Sequence, residues 1–227
     1  MNIKNSLTDI DLNNIHTFNL DINNREVYLH SYIGETEEEP GVDYRCSIIF
    51  EKNIRYLNLL SIEPILVHMH LPGGSWGDCL AMYDTIRSSK AKIVILAYTP
   101  AESSSSVLLQ AGHLRILMPN ANLMIHYGSI SMENEHSKAA ASNVKWNDGE
   151  CEKMVDIFTE RCMSSNMAKT KNWKKMMAKK HIISQINNKS DWILTAQEAV
   201  DYGFADGLLG TKKFPNIDYL KNYAKKI

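Results

Sequence analysis

The sequence of 227 residues lacks several features that mark large classes of protein. It has only four cysteines, which lie far apart, with no CxxC pair and no cysteine–histidine spacing of the zinc-finger kind. We therefore expect reduced thiols, as in cytoplasmic proteins, and no structural zinc. Neither sign of charge is in excess, since 25 lysines and arginines face 26 aspartates and glutamates. The formal net charge of −1 does not attract nucleic acid or an anionic membrane.

Long hydrophobic runs and nucleotide-binding motifs are also missing. No apolar stretch approaches the roughly 20 residues that span a bilayer, and the N-terminal MNIKNSLTDIDLNN lacks the apolar run of a signal peptide. There is no Walker motif and no internal repeat. We therefore expect a cytoplasmic protein that does not bind membranes. With 44% hydrophobic residues, the chain can bury one substantial core and form a single domain.

Strands and helices alternate along the chain. Residues 65–71 (ILVHMHL) and 92–98 (KIVILAY) are nearly continuous apolar runs of strand length, which is typical of buried parallel strands. Between them, residues 75–89 carry apolar side chains at helical spacing after a glycine turn. Strand, turn, helix and strand form a βαβ unit, which predicts an α/β fold with a largely parallel sheet. The other predicted strands are 25–33, 114–118 and 122–126, and the other predicted helices are 44–61 and 103–112.

Three further segments surround this pattern. Residues 1–24 are rich in asparagine and aspartate and are interpreted as an arm that serves as an axial gate or an assembly element. Residues 34–43 combine glycine, proline and an acidic run, which predicts a solvated loop. Thr195 and Glu198 fit a capping box that starts a short helix, and the chain closes in a weakly amphipathic basic tail over about 217–227.

The long stretch 133–177 is charged and helix-forming, and it predicts a helical excursion from the α/β pattern. The turn-forming string NDG (147–149) predicts a break in it. The methionines between residues 163 and 177 are interpreted as core filler. The basic cluster 169–180, which contains Trp173, is typical of a solvated helix face, with RNA binding as the alternative.

Two predicted turns carry residues suited to chemistry. The turn LPGGS (71–75) joins a buried strand to a helix, and its glycines let backbone amides face a ligand. That geometry fits either a phosphate cradle or one wall of an oxyanion hole. The second turn ends in Glu102 and four serines, 103–106. A serine at a helix start is ordinarily a cap, but it also gains from the free amides and the positive end of the helix.

His126 closes a predicted strand, from which its imidazole can reach a neighbouring turn. A serine activated by this histidine needs a carboxylate that holds the imidazole in the right tautomer. Asp191, Asp201 and Asp206 all qualify, and spacing alone does not choose among them.

His68 and His70 form a second histidine candidate. They are two residues apart on a predicted strand and so share one face, which suggests a metal pair. No third ligand is apparent in the sequence, so no metal site is predicted.

Four stretches, in this order, resemble the proteolytic subunits of the Clp protease family. LPGGSWGDCLAMYDTIR resembles the family's glycine turn and following helix, and SSSSVLLQAG resembles its nucleophile helix. LRILMPNANLMIH resembles the strand pair that ends in the catalytic histidine, and DWILTAQEAVDYGFAD the acid and the closing helix. The resemblance covers residues 25–210 and implies the fold that Clp proteases share with crotonases, a ββα superhelix of stacked parallel sheet and helices. Residues 129–180 would form an extended helical handle, and residues 211–227 a C-terminal tail.

The resemblance also implies the residues of a serine endopeptidase. Counting back from LLQAG, the family's nucleophile falls on Ser103, while its base falls on His126 and its acid on Asp191. The backbone amides of Gly73 and Ser104 would form the oxyanion hole. The implied reaction hydrolyses a peptide bond through an acyl-enzyme and requires no metal or organic cofactor.

Assembly and partners are likewise implied by the resemblance. The chain would form heptameric rings, stacked in pairs as a tetradecamer around a closed chamber. An AAA+ unfoldase of the Clp type would feed unfolded polypeptides into the chamber and would hydrolyse the ATP, since this chain has no Walker motif. The contact between rings is the least transferable feature, because His126 and Asp191 are further apart in sequence than is usual in the family.

The sequence departs from the family beside the nucleophile. Glu102 stands where a small residue is usual, and Ser104-Ser105 replace a Met-Gly pair. A carboxylate pointing inward would raise the pKa of the serine, so we expect Glu102 to point outward. Ser106, one helical turn further, is a second-choice nucleophile.

Two alternatives to an active peptidase follow from these departures and from the fold. In the first, Glu102 and the polyserine turn disable the site, and the chain is a scaffold or regulatory subunit. In the second, the chain is a crotonase-type enzyme that acts on acyl-CoA thioesters. Such enzymes use a similar oxyanion hole but do not need a Ser-His-Asp set.

Overall fold

The computed structural model describes residues 8–31, 41–98, 101–129 and 136–227. The helices in these ranges are α1 (Asp9–Phe18), α2 (Tyr44–Leu60), α3 (Trp76–Arg87), α4 (Ser104–Leu109), α5 (Ser137–Met163), α6 (Asn166–Thr170), α7 (Lys175–Lys189), α8 (Ala196–Asp201) and α9 (Ile217–Ala224). The strands are β1 (Leu20–Asp21), β2 (Glu26–His30), β3 (Ile65–His70), β4 (Ile93–Ala97), β5 (Ala101–Glu102), β6 (Leu114–Leu117), β7 (Asn122–Ile125), β8 (Trp192–Thr195) and β9 (Gly207–Leu208). Most of the predicted acidic loop and the predicted start of the helical excursion lie outside the described residues. None of these helices combines the length and the apolar character needed to cross a membrane.

The strands form two sheets. The larger sheet has the order β1-β2-β3-β4-β6-β9, and its neighbours are parallel except for β1, which is antiparallel to β2. The smaller sheet has the order β5-β7-β8, with β5 parallel and β8 antiparallel to β7. The predicted α/β class and the largely parallel sheet are thus confirmed. Although β6 and β7 are adjacent in sequence, they belong to different sheets, so the chain crosses between the two layers in the turn that joins them.

The side chains of β3 alternate between two cores. Val67 and Met69 pack in a large core with helices α2, α3 and α4, whereas Leu66 packs in a second core with Leu220 and Ala224 of α9. Because both faces of the strand are covered, the sequence shows a continuous apolar run rather than an alternation. The predicted basic tail therefore contains a helix that is packed on the sheet.

The N-terminal arm is partly built into the fold. Helix α1 begins at a capping box between Thr8 and Asp11. Strand β1 then extends the larger sheet by pairing with β2, and Leu20 is buried. The described end of the arm thus contributes to the core, while its function as a gate and the domain limits 25–210 stay predictions.

Helix α5 runs without interruption through residues 147–149, so the predicted break there is wrong. Its buried face, which includes Met154 and Phe158, packs into the large core. Burial of such a side chain contributes about 1.5–3 kcal/mol, more than the ~1 kcal/mol by which a glycine such as Gly149 destabilises a helix interior. Tertiary packing therefore outweighs the local turn signal.

Helix α7 packs against α5 along a buried stripe of Ala178, Ile182 and Ile186. Met176 and Met177 lie outside this i, i+4 stripe and are 62% and 50% exposed. The interpretation of the methionines as core filler is therefore wrong for these two residues.

Two lysines of the basic cluster 169–180 pair with acidic side chains of α5. Lys179 Nζ lies 2.7 Å from Asp156 Oδ1 and 3.2 Å from Glu152 Oε1. Lys175 Nζ lies 3.6 Å from Glu160 Oε1. Such pairs are typical of a solvated helix face, in line with the interpretation from the sequence.

The predicted capping box of α8 is confirmed. The backbone N–H of Thr195 donates to Glu198 Oε2 at 2.8 Å, and that of Glu198 donates to Thr195 Oγ1 at 3.3 Å. Gly203, with φ of +77°, follows the helix in the left-handed conformation that commonly ends one.

Candidate active site

Ser103 occupies a strained turn between β5 and α4. Its φ of +54° and ψ of −129° lie in a region that side-chain-bearing residues rarely adopt. Two backbone bonds hold it there: Ser103 N–H donates to Met124 O, and Ser106 N–H donates to Ser103 O, each at 3.0 Å. A strained non-glycine residue that the surrounding structure holds in place is a frequent sign of a functional position.

His126 contacts both of its predicted partners. Its Nε2 lies 2.8 Å from Ser103 Oγ, and its Nδ1 lies 3.0 Å from Asp191 Oδ1. A carboxylate only accepts hydrogen bonds, so Nδ1 carries the imidazole proton and Nε2 accepts from the serine hydroxyl. The structure therefore brings Ser103, His126 and Asp191 together in one chain of hydrogen bonds.

The smaller sheet explains this meeting of residues that are distant in sequence. In the parallel pair β5–β7, Glu102 lies opposite Met124, which brings Ser103 beside the end of β7. In the antiparallel pair β7–β8, Ile125 lies opposite Trp192, so His126 and Asp191 are adjacent across the ladder. Pairing of β8 with β7 thus places the Asp191 carboxylate within hydrogen-bonding distance of the His126 imidazole.

The two other candidate acids are engaged elsewhere. Asp206 forms a two-pronged ion pair with Arg115, whose Nη2 lies 2.6 Å from Asp206 Oδ1 and whose Nε lies 3.0 Å from Oδ2. Asp201 accepts a hydrogen bond from Gln197 within α8. Of the three aspartates that spacing left open, Asp191 is the one that contacts His126.

Gly73 lies against the Ser103 turn so closely that only glycine fits. Its φ is +111°, and a Cβ there would lie 2.6 Å from Glu102 O and 2.8 Å from Ser103 Cβ. The same Cβ would lie 3.4 Å from Ser104 N, so the backbone of Gly73 adjoins that amide. Ser104 is the first residue of α4, and its N–H has no acceptor within the helix. Two backbone segments with donors suited to a negative oxygen thus adjoin Ser103.

The four serines of the turn have different environments. Ser105 Oγ donates to Leu71 O at 2.6 Å, and Ser106 Oγ donates to Ser103 O at 2.6 Å. Ser106, the second-choice nucleophile, is fully buried with its hydroxyl on the backbone, whereas Ser103 faces His126. Ser104 Oγ is buried and has no hydrogen-bond partner among the described residues.

Glu102 is half-buried. It follows the buried Ala101 in β5, and successive strand residues point to opposite faces of a sheet. Its side chain therefore leaves the sheet on the face away from the large core.

A cleft of about 460 Å³ opens beside Ser103 and His126. Its walls include residues that sequence reasoning did not select, foremost Trp76 and Glu150. Trp76 Nε1 donates to Glu150 Oε2 at 2.7 Å, and Lys153 Nζ lies 2.6 Å from Glu150 Oε1. The hydrogen bond from Lys153 lowers the pKa of Glu150 most, and that from Trp76 lowers it next. Together they outweigh burial, which raises it, so the pKa lies below its ordinary value. The only local signal was the i, i+3 pair of Glu150 and Lys153, which by itself indicates an ordinary surface pair.

His68 and His70 do not gain a third metal ligand. His68 Nε2 lies 2.9 Å from Glu26 Oε2, and its Nδ1 lies 2.9 Å from the Tyr98 hydroxyl. Across the ranges that the structure describes, no group of three histidine, cysteine or acidic side chains is arranged to hold a metal ion. These contacts favour a structural role for His68.

In comparisons with known proteins, the chain is similar to proteolytic subunits of Clp proteases. The family model described as Clp protease matches residues 46–212. The ATP-dependent Clp protease proteolytic subunit 1 of Rhodococcus jostii is 30% identical over 162 residues, which cover 69% of this chain and 67% of that protein. The ATP-dependent Clp protease proteolytic subunit 2 of Mycobacterium tuberculosis is 30% identical over 206 residues, which cover 81% of this chain and 87% of that protein. The corresponding subunit 2 of Streptomyces coelicolor is 28% identical over 170 residues, with coverage of 70% and 69%.

Proposed function

The chain belongs to the Clp protease family, and on that premise we propose that it is a serine endopeptidase with Ser103 as its nucleophile. Family membership makes it a protease subunit. The observation that carries the finer proposal is the chain of hydrogen bonds from Ser103 through His126 to Asp191. Nucleophile, base and orienting acid in this relation form the constellation that recurs in serine hydrolases of unrelated folds.

In the proposed reaction, Ser103 Oγ attacks the peptide carbonyl carbon while its proton passes to His126 Nε2. Asp191 accepts the hydrogen bond from Nδ1–H and stabilises the imidazolium that forms. The amides of Gly73 and Ser104 donate to the oxygen on which negative charge develops. The tetrahedral intermediate then expels the amine, which takes the proton from Nε2, and an acyl-enzyme ester remains on Ser103. Water, activated by His126, hydrolyses this ester and frees the serine.

The strained turn and the glycine fit support catalysis over the two alternatives. A crotonase-type enzyme uses an oxyanion hole but does not need a serine bonded to an imidazole. A scaffold subunit needs neither the strained backbone of Ser103 nor a close approach that only Gly73 permits. Strain of this kind opposes folding by about 1–3 kcal/mol. Such strain is typical of catalytic positions, where it is part of the mechanism.

We further propose that the chain works in heptameric rings stacked as a tetradecamer, fed by an AAA+ unfoldase of the Clp type. The relatives are named as subunits of an ATP-dependent protease. The chain also exposes large apolar side chains, among them Ile10, Leu59 and Ile62, which assembly would cover. ATP hydrolysis would belong to the unfoldase, and the proposed mechanism uses no metal or organic cofactor. The cytoplasm is the proposed compartment, and the four cysteines are free thiols.

Labelling and peptide hydrolysis test this proposal together. Wild-type protein whose ring state has been measured by mass should cleave short fluorogenic peptides and react with a fluorophosphonate at Ser103. Ser103→Ala should lose both, with a fall of at least about 10³-fold in kcat. Ser106→Ala, the matched change at the second-choice serine, should keep the label on Ser103. Absence of label on any serine of assembled wild-type rings would overturn the proposal.

A further inference from the structure

A hydrogen bond joins two helices that wall the candidate active site. Trp76, the first residue of α3, donates from Nε1 to Glu150 Oε2 of α5 at 2.7 Å. Both residues line the cleft that also contains Ser103 and His126. The acceptor is a carboxylate, and hydrogen bonds to an ionised partner are shorter and stronger than those between neutral groups. The bond therefore fixes the start of α3 relative to α5.

Glu150 occupies a position that favours an apolar side chain. Met154 and Phe158 follow it at i+4 and i+8, so the three residues share one face of α5, and that face packs into the large core. Glu150 is only 8% exposed. Removal of a carboxylate from water costs free energy that a leucine would not incur. Packing of α5 alone thus gives no reason for a glutamate here, whereas the bond to Trp76 does.

The start of α3 is directly connected to the glycine turn. Trp76 follows Ser75, whose N–H donates to Val42 O at 2.7 Å, and Val42 N–H donates to Gly73 O at 2.5 Å. Val42 and Gly74 thereby form an isolated parallel bridge. These bonds hold the turn on the side of Val42, and the bond from Trp76 holds its other end, where α3 begins. The position of the Gly73 amide thus depends on both.

The first turn of α3 also contacts the nucleophile helix. Cys79 Sγ donates to Ser104 O at 2.9 Å, and Cys79 is fully buried. Ser104 begins α4 directly after Ser103, and its N–H is the second donor of the proposed oxyanion hole. Gly73 lies against this amide. A shift of the start of α3 would therefore disturb both proposed donors.

From these contacts we infer that Trp76 and Glu150 are positioning residues for the peptidase reaction. Their hydrogen bond holds the amides of Gly73 and Ser104 where negative charge develops on the attacked carbonyl. This inference rests on the proposed function of Ser103. The two side chains act through the start of α3 rather than on the reacting atoms. Donors of an oxyanion hole must lie about 2.7–3.1 Å from the oxygen that they stabilise, so a small displacement weakens them.

Removal of the donor is the first test. Trp76→Phe loses the indole N–H and keeps an aromatic ring. We expect kcat for short peptides to fall about tenfold while KM stays within about twofold, because the weakened interaction is one made in the transition state. The rate at which a fluorophosphonate labels Ser103 should fall in parallel, since its phosphonyl oxygen needs the same donors. Trp173→Phe, at a half-buried tryptophan that is not among the described residues lining the cleft, should leave both rates as in wild type.

Variants of Glu150 test the other side of the bond. Glu150→Ala should lower kcat to the same extent as Trp76→Phe. The double variant should fall no further than either single one, because both changes remove the same bond. Glu150→Gln retains an oxygen that accepts from Trp76 and should restore kcat to near that of wild type. Glu152→Ala, at an exposed glutamate of α5 that pairs with Lys179, is the matched control and should leave kcat unchanged.

Urea denaturation and the ring state measured by mass separate positioning from support of the fold. In a purely structural role, the variants would lose stability while their assembled rings kept the wild-type kcat per labelled Ser103, and that result would overturn the inference. A rise in KM at unchanged kcat would also overturn it, because the pair would then shape substrate binding. Additive losses in the double variant would show that the two residues do not act through one bond.

The wild-type protein separates the two proposals. If it is neither labelled at Ser103 nor able to cleave the peptides, the proposed function is overturned. If it is labelled and active, and Trp76→Phe and Glu150→Ala match its kcat and its labelling rate, only the inference on these two residues is overturned.

Discussion

Two histidines of this protein, His126 and His68, are each hydrogen-bonded to one hydroxyl and one carboxylate. His126 lies between the hydroxyl of Ser103 and the carboxylate of Asp191, at 2.8 and 3.0 Å. His68 lies between the hydroxyl of Tyr98 and the carboxylate of Glu26, both at 2.9 Å. Each is therefore an imidazole held between a hydroxyl and a carboxylate, and a search for that pattern alone would select both.

The surroundings of the two histidines differ. His68 is buried, and its carboxylate partner Glu26 also bonds Lys221 Nζ at 2.6 Å, which ties α9 to the sheet. Burial and the neighbouring Glu26 raise the pKa of Tyr98, so its hydroxyl stays protonated. The Asp191 side chain, by contrast, is 60% exposed and that of His126 is 26% exposed, although both histidines line a cleft.

The difference indicates which features mark a catalytic imidazole. Of the two hydroxyls, only that of Ser103, beside His126, stands on a strained backbone and adjoins amide donors. These features suit an oxygen that must attack a carbonyl. The His68 group joins three elements of the fold, β2, β3 and α9, and is suited to stability instead.

The strongest test replaces the carboxylate beside His126 by an amide. In Asp191→Asn we expect kcat for short peptides to fall about 10²–10⁴-fold, because the amide no longer holds the proton on Nδ1 of His126. The free energy of unfolding should change by no more than about 1 kcal/mol, since the Asp191 side chain is largely exposed. Peptide hydrolysis and urea denaturation measure the two effects. Asp201→Asn is the matched control and should leave kcat as in wild type, whereas an Asp191→Asn enzyme with wild-type kcat would contradict the assignment of the acid.

A second test removes the close approach of Gly73. In Gly73→Ala the new Cβ would meet Glu102 O and Ser103 Cβ at less than 3 Å, so the turn must shift. We expect kcat to fall about 10- to 100-fold, because the shift moves an amide of the proposed oxyanion hole. Gly77→Ala is the control: it lies on α3 with nothing near its Cβ, and it should stabilise the protein by up to about 1 kcal/mol. Equal activity of the two variants would argue against a role for Gly73.

A third test concerns Glu26, the carboxylate partner of the buried His68. Burial raises the pKa of Glu26, but hydrogen bonds from His68 and Lys221 outweigh it, so the pKa lies below the ordinary 4.5. At neutral pH, Glu26→Gln should lower the free energy of unfolding by about 2–3 kcal/mol while peptide hydrolysis continues. A lowered pKa stabilises the fold above the unfolded value, and this contribution is lost as pH falls through the folded value. The difference between wild type and variant should therefore shrink below pH 4.5.

Urea denaturation at fixed protein concentration measures this difference. Glu63→Gln provides the control, because Glu63 pairs with Lys225 at the surface, 2.5 Å apart, and should change stability by less than about 0.5 kcal/mol. Equal effects of the two changes, or loss of peptidase activity in Glu26→Gln, would remove the distinction between the two histidines.

Predictions from the sequence succeeded where neighbours in the chain decide the structure. The apolar runs of β3 and β4 and the capping box of Thr195 and Glu198 are local patterns, and the structure contains each of them. The break in α5 was a local pattern too, yet burial of Met154 and Phe158 overrode it. Local signals thus hold only where packing does not oppose them.

The sequence by itself determined the α/β class, the glycine turn and the family resemblance that selects Ser103, His126 and Asp191. Spacing does not distinguish Asp191 from Asp201 and Asp206, and the tertiary structure separates them, because the pairing of β7 with β8 places Asp191 beside the imidazole. It also decided that Trp76 and Glu150 line the same cleft as Ser103 and His126. The physical reason is that strand register and helix packing join residues far apart in the chain, and no local pattern encodes such contacts.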